Sequence, residues 1–184
     1  MELVDDSVGA RSWAKSHRPQ LTVAVVAVVA LALDLLTKWW ALRSLSQEEV
    51  SPLIGDLIGL QLVFNPGAAF SIGEGFTWVF TILTIVVIGG LIWFSTRLQH
   101  LVPAVIVGLL LGGALGNLWD RLTQPPGFGR GHVVDFIRYG DWFVGNVADI
   151  WIVVAAVALV IWALTRPEPA KTVADQVGVG EADG

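Results

Sequence analysis

Apolar residues crowd into four long stretches along this chain. The first, 20–42, is uncharged as far as Leu33 and then carries Asp34 and Lys38. The second, 75–96, has no charge at all. The third, 101–121, is uncharged until Asp120 and Arg121 close it, and the fourth, 142–165, has Asp149 as its only charge. About 20 apolar residues cross the ~30 Å hydrocarbon core of a bilayer. Backbone in that medium must satisfy its own hydrogen bonds, so each stretch is predicted to be a transmembrane helix. Between the first two, Leu60, Leu62 and Phe64 alternate with Gln61 and Val63, which is the period of a strand. Asn65-Pro66-Gly67 then reads as a turn. The segment 122–141 reads as a Pro- and Gly-bearing loop followed by a short apolar patch, 133–137.

Composition strengthens the membrane reading. Of 184 residues, 54% are hydrophobic and only 15% charged, and the mean hydropathy is +0.68. A soluble domain carries about 25% charged residues, so four buried soluble helices would lack polar surface to cover them. A net charge of −5 removes the basic footprint that nucleic acid requires, and no nucleic-acid partner is expected. Without cysteine there is no disulfide and no thiolate nucleophile. Nine tryptophans against one tyrosine suit rings at membrane interfaces.

Arg11, Lys15 and Arg18 precede the first stretch, Arg97 links the second and third, and Arg166 and Lys171 follow the fourth. The segment between the first and second holds Glu48, Glu49, Asp56 and Glu74. This bias predicts both termini in the cytoplasm; Arg121, Arg130 and Arg138 count against it. The first stretch runs into Asp34 and Lys38 with no small-residue cleavage site, so it is expected to be a retained span. The expected organisation is a cytoplasmic tail over 1–19, a four-span domain over 20–165 and a disordered cytoplasmic tail over 166–184.

The polar residues of the spans gather at one depth. Asp34 lies about 14 residues into its helix, or roughly 21 Å at 1.5 Å per residue, near the outer end. Asn117, Asp120 and Arg121 share one face of the third span at i, i+3 and i+4. Asn146 and Asp149 open the fourth, and Asp135 lies in the outer loop between. Ionisable groups at such depth are costly and mark functional sites. Gly108, Gly112 and Gly116 recur every fourth residue, with Gly113 and Ala114 beside them, a seam that lets another helix approach closely.

The chemistry available is narrow. There is no H-E-x-x-H metal spacing and no G-x-S-x-G elbow, and of His17, His100 and His132 only His132 is near the cluster. No metal and no cofactor is expected. Four carboxylates remain: Asp34, Asp120, Asp135 and Asp149. Two that face each other can share one proton, one acting as base toward water and the other as acid toward the leaving group. Spacing alone points to aspartic hydrolysis at a membrane surface. It leaves open which two carboxylates act. It also leaves open a small transporter, or an assembly protein held by the glycine seam that uses the cluster non-catalytically.

Five blocks carry a family resemblance. Asp34-Leu-Leu-Thr-Lys38 resembles the D-x-x-x-K of the lipoprotein signal peptidases (signal peptidase II). Phe64-Asn-Pro-Gly-Ala-Ala-Phe-Ser71 is similar to their N-x-G-A-A-F-S segment. Gly112-Gly-Ala-Leu-Gly-Asn-Leu-Trp-Asp-Arg121 resembles G-G-A-x-G-N-x-x-D-R. Val133-Val-Asp-Phe-Ile137 resembles V-V-D-F-I, and Asn146-Val-Ala-Asp149 resembles the end of F-N-x-A-D. The blocks occur in the family's order from Asp34 to Asp149.

The resemblance implies an all-α membrane protein. It would have four transmembrane helices and a small outward-facing β-cradle, about 51–72, between the first and second spans. It implies an aspartic endopeptidase of the bacterial cell membrane, in contact with membrane lipid; a monomer is the default expectation. Such an enzyme removes the signal peptide from diacylglyceryl-modified prolipoproteins just before the lipidated Cys and is blocked by globomycin-like peptides. Its catalytic pair falls on Asp135 and Asp149. Its substrate-binding or supporting residues fall on Asp34, Lys38, Asn65, Gly67, Asn117, Asp120, Arg121, Asn146 and Ala148.

Each supporting residue also has a plainer use. Asp34 and Lys38 suit a structural pair or a lipid-headgroup contact. Asp120 suits a helix end or an arginine partner, and Arg121 a substrate carbonyl or phosphate. Asn117 and Asn146 suit bonds to the dyad or between helices, and Asn65 the substrate backbone or a turn. Gly67, Ala68 and Ala69 suit close backbone approach. This chain departs from the family pattern at Gly145, which stands where Phe usually precedes the Asn, and at Ile150-Trp151. The outer loop also differs in its lengths.

Overall fold

A computed structural model describes residues 6–67 and 76–165, with the side chains of the first helix from residue 17. Four helices are long and apolar enough to cross a membrane, as expected. They are α1 (Asp6–Ser44), α2 (Thr77–Ser95), α3 (Leu101–Thr123) and α4 (Val147–Leu164), and four strands lie between them. The strands are β1 (Ser51–Ile54), β2 (Ile58–Asn65), β3 (Val133–Tyr139) and β4 (Phe143–Gly145).

Helix α3 is the centre of the bundle: its apolar window is 56% buried, against 22% or less for the others. Glycine puts it there. A Cβ on Gly112 would stand 2.6 Å from Ala30 Cβ and 2.8 Å from the Ala27 carbonyl of α1, and one on Gly116 would run into the Asp34 carboxylate. Gly113, on another side of α3, approaches the Ala148 carbonyl of α4 within 2.7 Å by the same measure. The seam therefore seats α1 and α4 on α3 at backbone distance, as small residues do where lipid offers no hydrophobic drive between helices. The outward surfaces are Val, Ile, Leu and Trp, exposed in the chain alone and suited to acyl chains.

The four strands form one antiparallel sheet in the order β1-β2-β3-β4. Here the structure corrects the sequence-based expectation. The cradle is not confined to the segment between the first and second spans: half of it, β3 and β4, comes from the segment before α4. The patch 133–137 is the start of β3, and residues 143–145, assigned to the fourth span, are β4, so that α4 begins only at Val147. Helix α1 extends back to Asp6, into the segment expected as a tail. Residues 68–72 of the expected cradle and the tail 166–184 lie outside the described residues.

Side chains explain the pairing. Leu62 of β2 and Val134 and Phe136 of β3 bury themselves with Ala41 of α1, and Trp40 meets Phe136 edge-on at 6.2 Å. The sheet thus closes over one end of the bundle, called here the sheet end. Val63 pairs with Asp135 and Asn65 with Val133, so β2 runs directly beside the carboxylate of β3. The β3–β4 turn needs Gly140, whose φ of +54° is left-handed.

Candidate active site

The base of the site is ionic. Asp34 and Lys38, one turn apart on α1, are both buried and pair at 2.8 Å. Lys38 also reaches Asp120 Oδ2 on α3 at 2.8 Å and donates to Asn117 Oδ1 at 3.1 Å. Asp34 Oδ1 accepts from the Ala148 amide at the start of α4, 2.9 Å away, and Asp120 Oδ2 accepts from the Val134 amide of β3 at 3.1 Å. A charge taken out of water needs partners on every side. Here those partners come from α1, α3, α4 and β3, so the same contacts lock the elements together.

Above this base stand two carboxylates. Asp135 is 2% exposed. Its Oδ2 accepts from Asn65 Nδ2 at 2.9 Å and its Oδ1 from Asn146 Nδ2 at 2.6 Å. Asn146 is the N-cap of α4, and its side-chain oxygen accepts from the Asp149 amide at 3.1 Å while Asp149 Oδ2 accepts from the Asn146 amide at 3.0 Å. This capping box satisfies two of the amides that a helix start leaves unpaired. Asn117 Nδ2 donates to Asp149 Oδ1 at 3.1 Å, and Asn117 Oδ1 accepts from Asn146 at 3.2 Å. Asn146 therefore touches both carboxylates directly.

Both carboxylates line one cleft of about 470 Å³ at the sheet end, together with Asn65, Gly67, Asn117 and Arg121. Burial, and then the charge of Asp149, pushes the pKa of Asp135 up to about 7, against the pull of its bonds from Asn65 and Asn146 and of the Lys38 charge. Arg121 is buried, with Nη2 3.4 Å from the Gly67 carbonyl and its guanidinium 5.7 Å from the Phe80 ring of α2. Its Nε and Nη1 make no hydrogen bond among the described residues. A buried carboxyl that holds a proton near neutrality, beside a second carboxylate and an arginine with free donors, is equipped for acid–base chemistry on a carbonyl.

The model of the signal peptidase (SPase) II family matches residues 26–165. The chain belongs to that family. The lipoprotein signal peptidase of Rhodococcus jostii strain RHA1 is 44% identical over 168 residues, covering 91% of this chain and 85% of the relative. That of Mycobacterium avium strain 104 is 46% identical over 145 residues, 79% of each chain. A bacterial membrane enzyme solved by the in meso method at 2.3 Å shares the fold, with a TM-score of 0.72 at 28% identity over 82% of this chain and 93% of its own.

Against the expectations drawn from signal peptidase II, the structure brings every one of the named site residues into this one network. Asp34 and Lys38 are sealed inside the bundle as a structural pair, one of the two plainer uses expected of them. Asp120 holds Lys38 and the β3 backbone, not its neighbour Arg121. Asn65 does two jobs at once: its oxygen accepts from the Gly67 amide at 3.0 Å to form the turn, which leaves its amide for Asp135. Ala148 takes part through its backbone, next to Gly113. Ala68 and Ala69 lie outside the described residues.

The departure at Gly145 has a local explanation. A Cβ there would stand 3.0 Å from Asp149 Oδ2 and 3.5 Å from the Phe143 ring, so Phe143 occupies space beside the glycine. Trp142, Phe143 and Val144 line the cleft, which hydropathy hid by merging them with the fourth span. Thr77 and Thr81 of α2 were also missed. Their signal is a pair of hydroxyls one turn apart at the start of an uncharged stretch.

Proposed function

We propose that this protein removes signal peptides from diacylglyceryl-modified prolipoproteins, as an aspartic endopeptidase whose dyad is Asp135 and Asp149. The family supports prolipoprotein signal-peptide cleavage. The observation that carries the catalytic reading is the pair of carboxylates on one cleft, bridged by Asn146, with Asp135 held protonated near neutrality. In this reading the ionised partner takes a proton from water, and the oxygen attacks the carbonyl carbon before the lipidated Cys. The proton on the other partner passes to the departing nitrogen. Arg121 offers its free donors to the substrate carbonyl.

The sheet end faces outward, with both termini cytoplasmic. The substrate is itself a membrane helix, and it enters laterally so that its acyl chains stay against apolar walls. An ion path would call for charges spread through the bilayer depth. The ionisable side chains of the bundle interior instead gather at the sheet end, which favours a site at the membrane edge where water arrives. The protein acts as a monomer, and a globomycin-like cyclic peptide competes for the site.

The test is a gel-shift assay with purified protein in detergent, a diacylglyceryl-modified prolipoprotein, its unlipidated counterpart and globomycin. Lipid-dependent, globomycin-sensitive cleavage is expected, abolished by Asp135→Asn and by Asp149→Asn in inserted, folded protein. Substantial activity in either variant would sink the dyad.

A further inference from the structure

Helix α2 gives no side chain to the carboxylates, yet its first turns touch the cleft wall at Pro66 and Arg121 and the outer loop at Gly129. Thr77 Oγ1 donates to the Pro66 carbonyl at 2.6 Å, and Thr81 Oγ1 donates to the Gly129 carbonyl at 2.8 Å. Phe80 lies against Arg121. Both threonines are buried.

The Pro66 contact matters for its position. Asn65 makes the last pair of β2 with β3, so the ladder no longer holds the chain beyond it. Pro66 has no amide hydrogen, and its carbonyl is the one backbone group it offers. Thr77 takes that carbonyl. On the far side of the same peptide unit, the Gly67 amide donates to Asn65 Oδ1, and in the next unit the Gly67 carbonyl accepts from Arg121. Thr77 is the first residue of α2, so its helix offers its hydroxyl no carbonyl one turn back, whereas Thr84, inside the helix, bonds the Phe80 carbonyl at 2.8 Å.

We propose that Thr77 is a positioning residue for the hydrolysis: its hydroxyl clamps the 65–67 turn so that Asn65 presents its amide to Asp135 and Gly67 its carbonyl to Arg121. This rests on the dyad reading above. It acts through Asn65 and touches no reacting atom. Small misplacements of a catalytic group are expensive, so losing the clamp should lower turnover more than substrate binding.

The experiment is steady-state cleavage of a diacylglyceryl-modified prolipoprotein by the full chain in detergent, with Thr77→Val, Thr77→Ser, Asn65→Ala and the double variant Asn65→Ala/Thr77→Val. Thr84→Val is the control. Thr77→Val is expected to lower kcat roughly ten- to hundredfold with KM little changed. Thr77→Ser should restore it, Thr84→Val should behave as wild type, and Thr77→Val should cost little further in the Asn65→Ala background. Wild-type kcat in Thr77→Val, failure of Thr77→Ser to rescue, or full additivity with Asn65→Ala would each overturn the inference. If Thr77→Val does not accumulate as folded protein, Thr77→Ala carries the same comparison. No cleavage by the wild-type chain would overturn the dyad reading and this inference with it. Wild-type cleavage with an unimpaired Thr77→Val would overturn this inference alone.

Discussion

Asn146 and Asp149 cap each other: each side chain accepts from the other's backbone amide, at 3.1 and 3.0 Å. Asp149 is thus the third residue of a helix and a wall of the cleft at once. Asn146 spends its remaining amide on Asp135 and Asn117. The start of α4 and the spacing of the two carboxylates are set by the same bonds.

Asn146→Ala should therefore damage two properties together. Loss of an N-cap costs typically ~1 kcal/mol, and Asp135 loses the side-chain amide at 2.6 Å that ties it to the start of α4. A lower thermal midpoint in detergent and a cleavage rate reduced by tenfold or more are expected. A variant with full activity would show that the bridge is dispensable.

The pH profile carries a sign. Asp135 keeps its proton up to about pH 7 because it is buried beside Asp149, with Lys38 pulling the other way. Activity that needs that proton is lost as pH rises through about 7, with an apparent pKa that belongs to the pair. The bond from Asn65 favours the ionised form. Removing it in Asn65→Ala raises the pKa further, so the alkaline limb of the residual kcat/KM should move to higher pH. Movement to lower pH would mean that the titrating proton is elsewhere.

Lys38→Met leaves Asp34 and Asp120 buried without their cation. Removing one partner of a buried ionic group costs about 3–5 kcal/mol, whereas replacing the whole group by neutral side chains costs far less. Folded yield should fall sharply in Lys38→Met and recover in the triple variant Asp34→Asn/Lys38→Met/Asp120→Asn. Size-exclusion yield and thermal midpoint measure both. A triple variant worse than the single one would contradict the account.

Glycines on the two sides of the bundle should respond oppositely. Gly112→Ala forces a methyl against Ala30 and the Ala27 carbonyl, an overpacking that costs about 1–3 kcal/mol. A Cβ on Gly90 of α2 meets nothing within 4 Å, so Gly90→Ala should be neutral or gain up to ~1 kcal/mol of helix propensity. Thermal midpoints of the two variants in one detergent decide it.

The spans and the polar cluster were legible because each rests on a local rule. Twenty apolar residues need no tertiary context, and a glycine every fourth residue on α3 announces a close neighbour. β3 was not legible as a strand. Val133, Val134, Asp135 and Phe136 are all buried, so the alternation that marked β2 is missing. Trp142, Phe143 and Val144 were absorbed by hydropathy because a cleft lining and a membrane span have the same composition. The partners of Asp120 were not legible either. Its neighbour in sequence is Arg121, but the cation it pairs with is Lys38, which lies on α1.

The sheet joins a hairpin that follows α1 edge to edge with one that follows α3, and the last strand runs straight into α4. In the order of synthesis, β2 with Asn65 emerges long before β3, and Asp149 emerges last of the residues in the polar network. A nascent chain with three helices inserted has neither the second carboxylate nor the asparagine that bridges the pair. On the proposed dyad, the ribosome thus delivers a hydrolase that is unarmed throughout its own assembly and becomes competent only when its final helix docks.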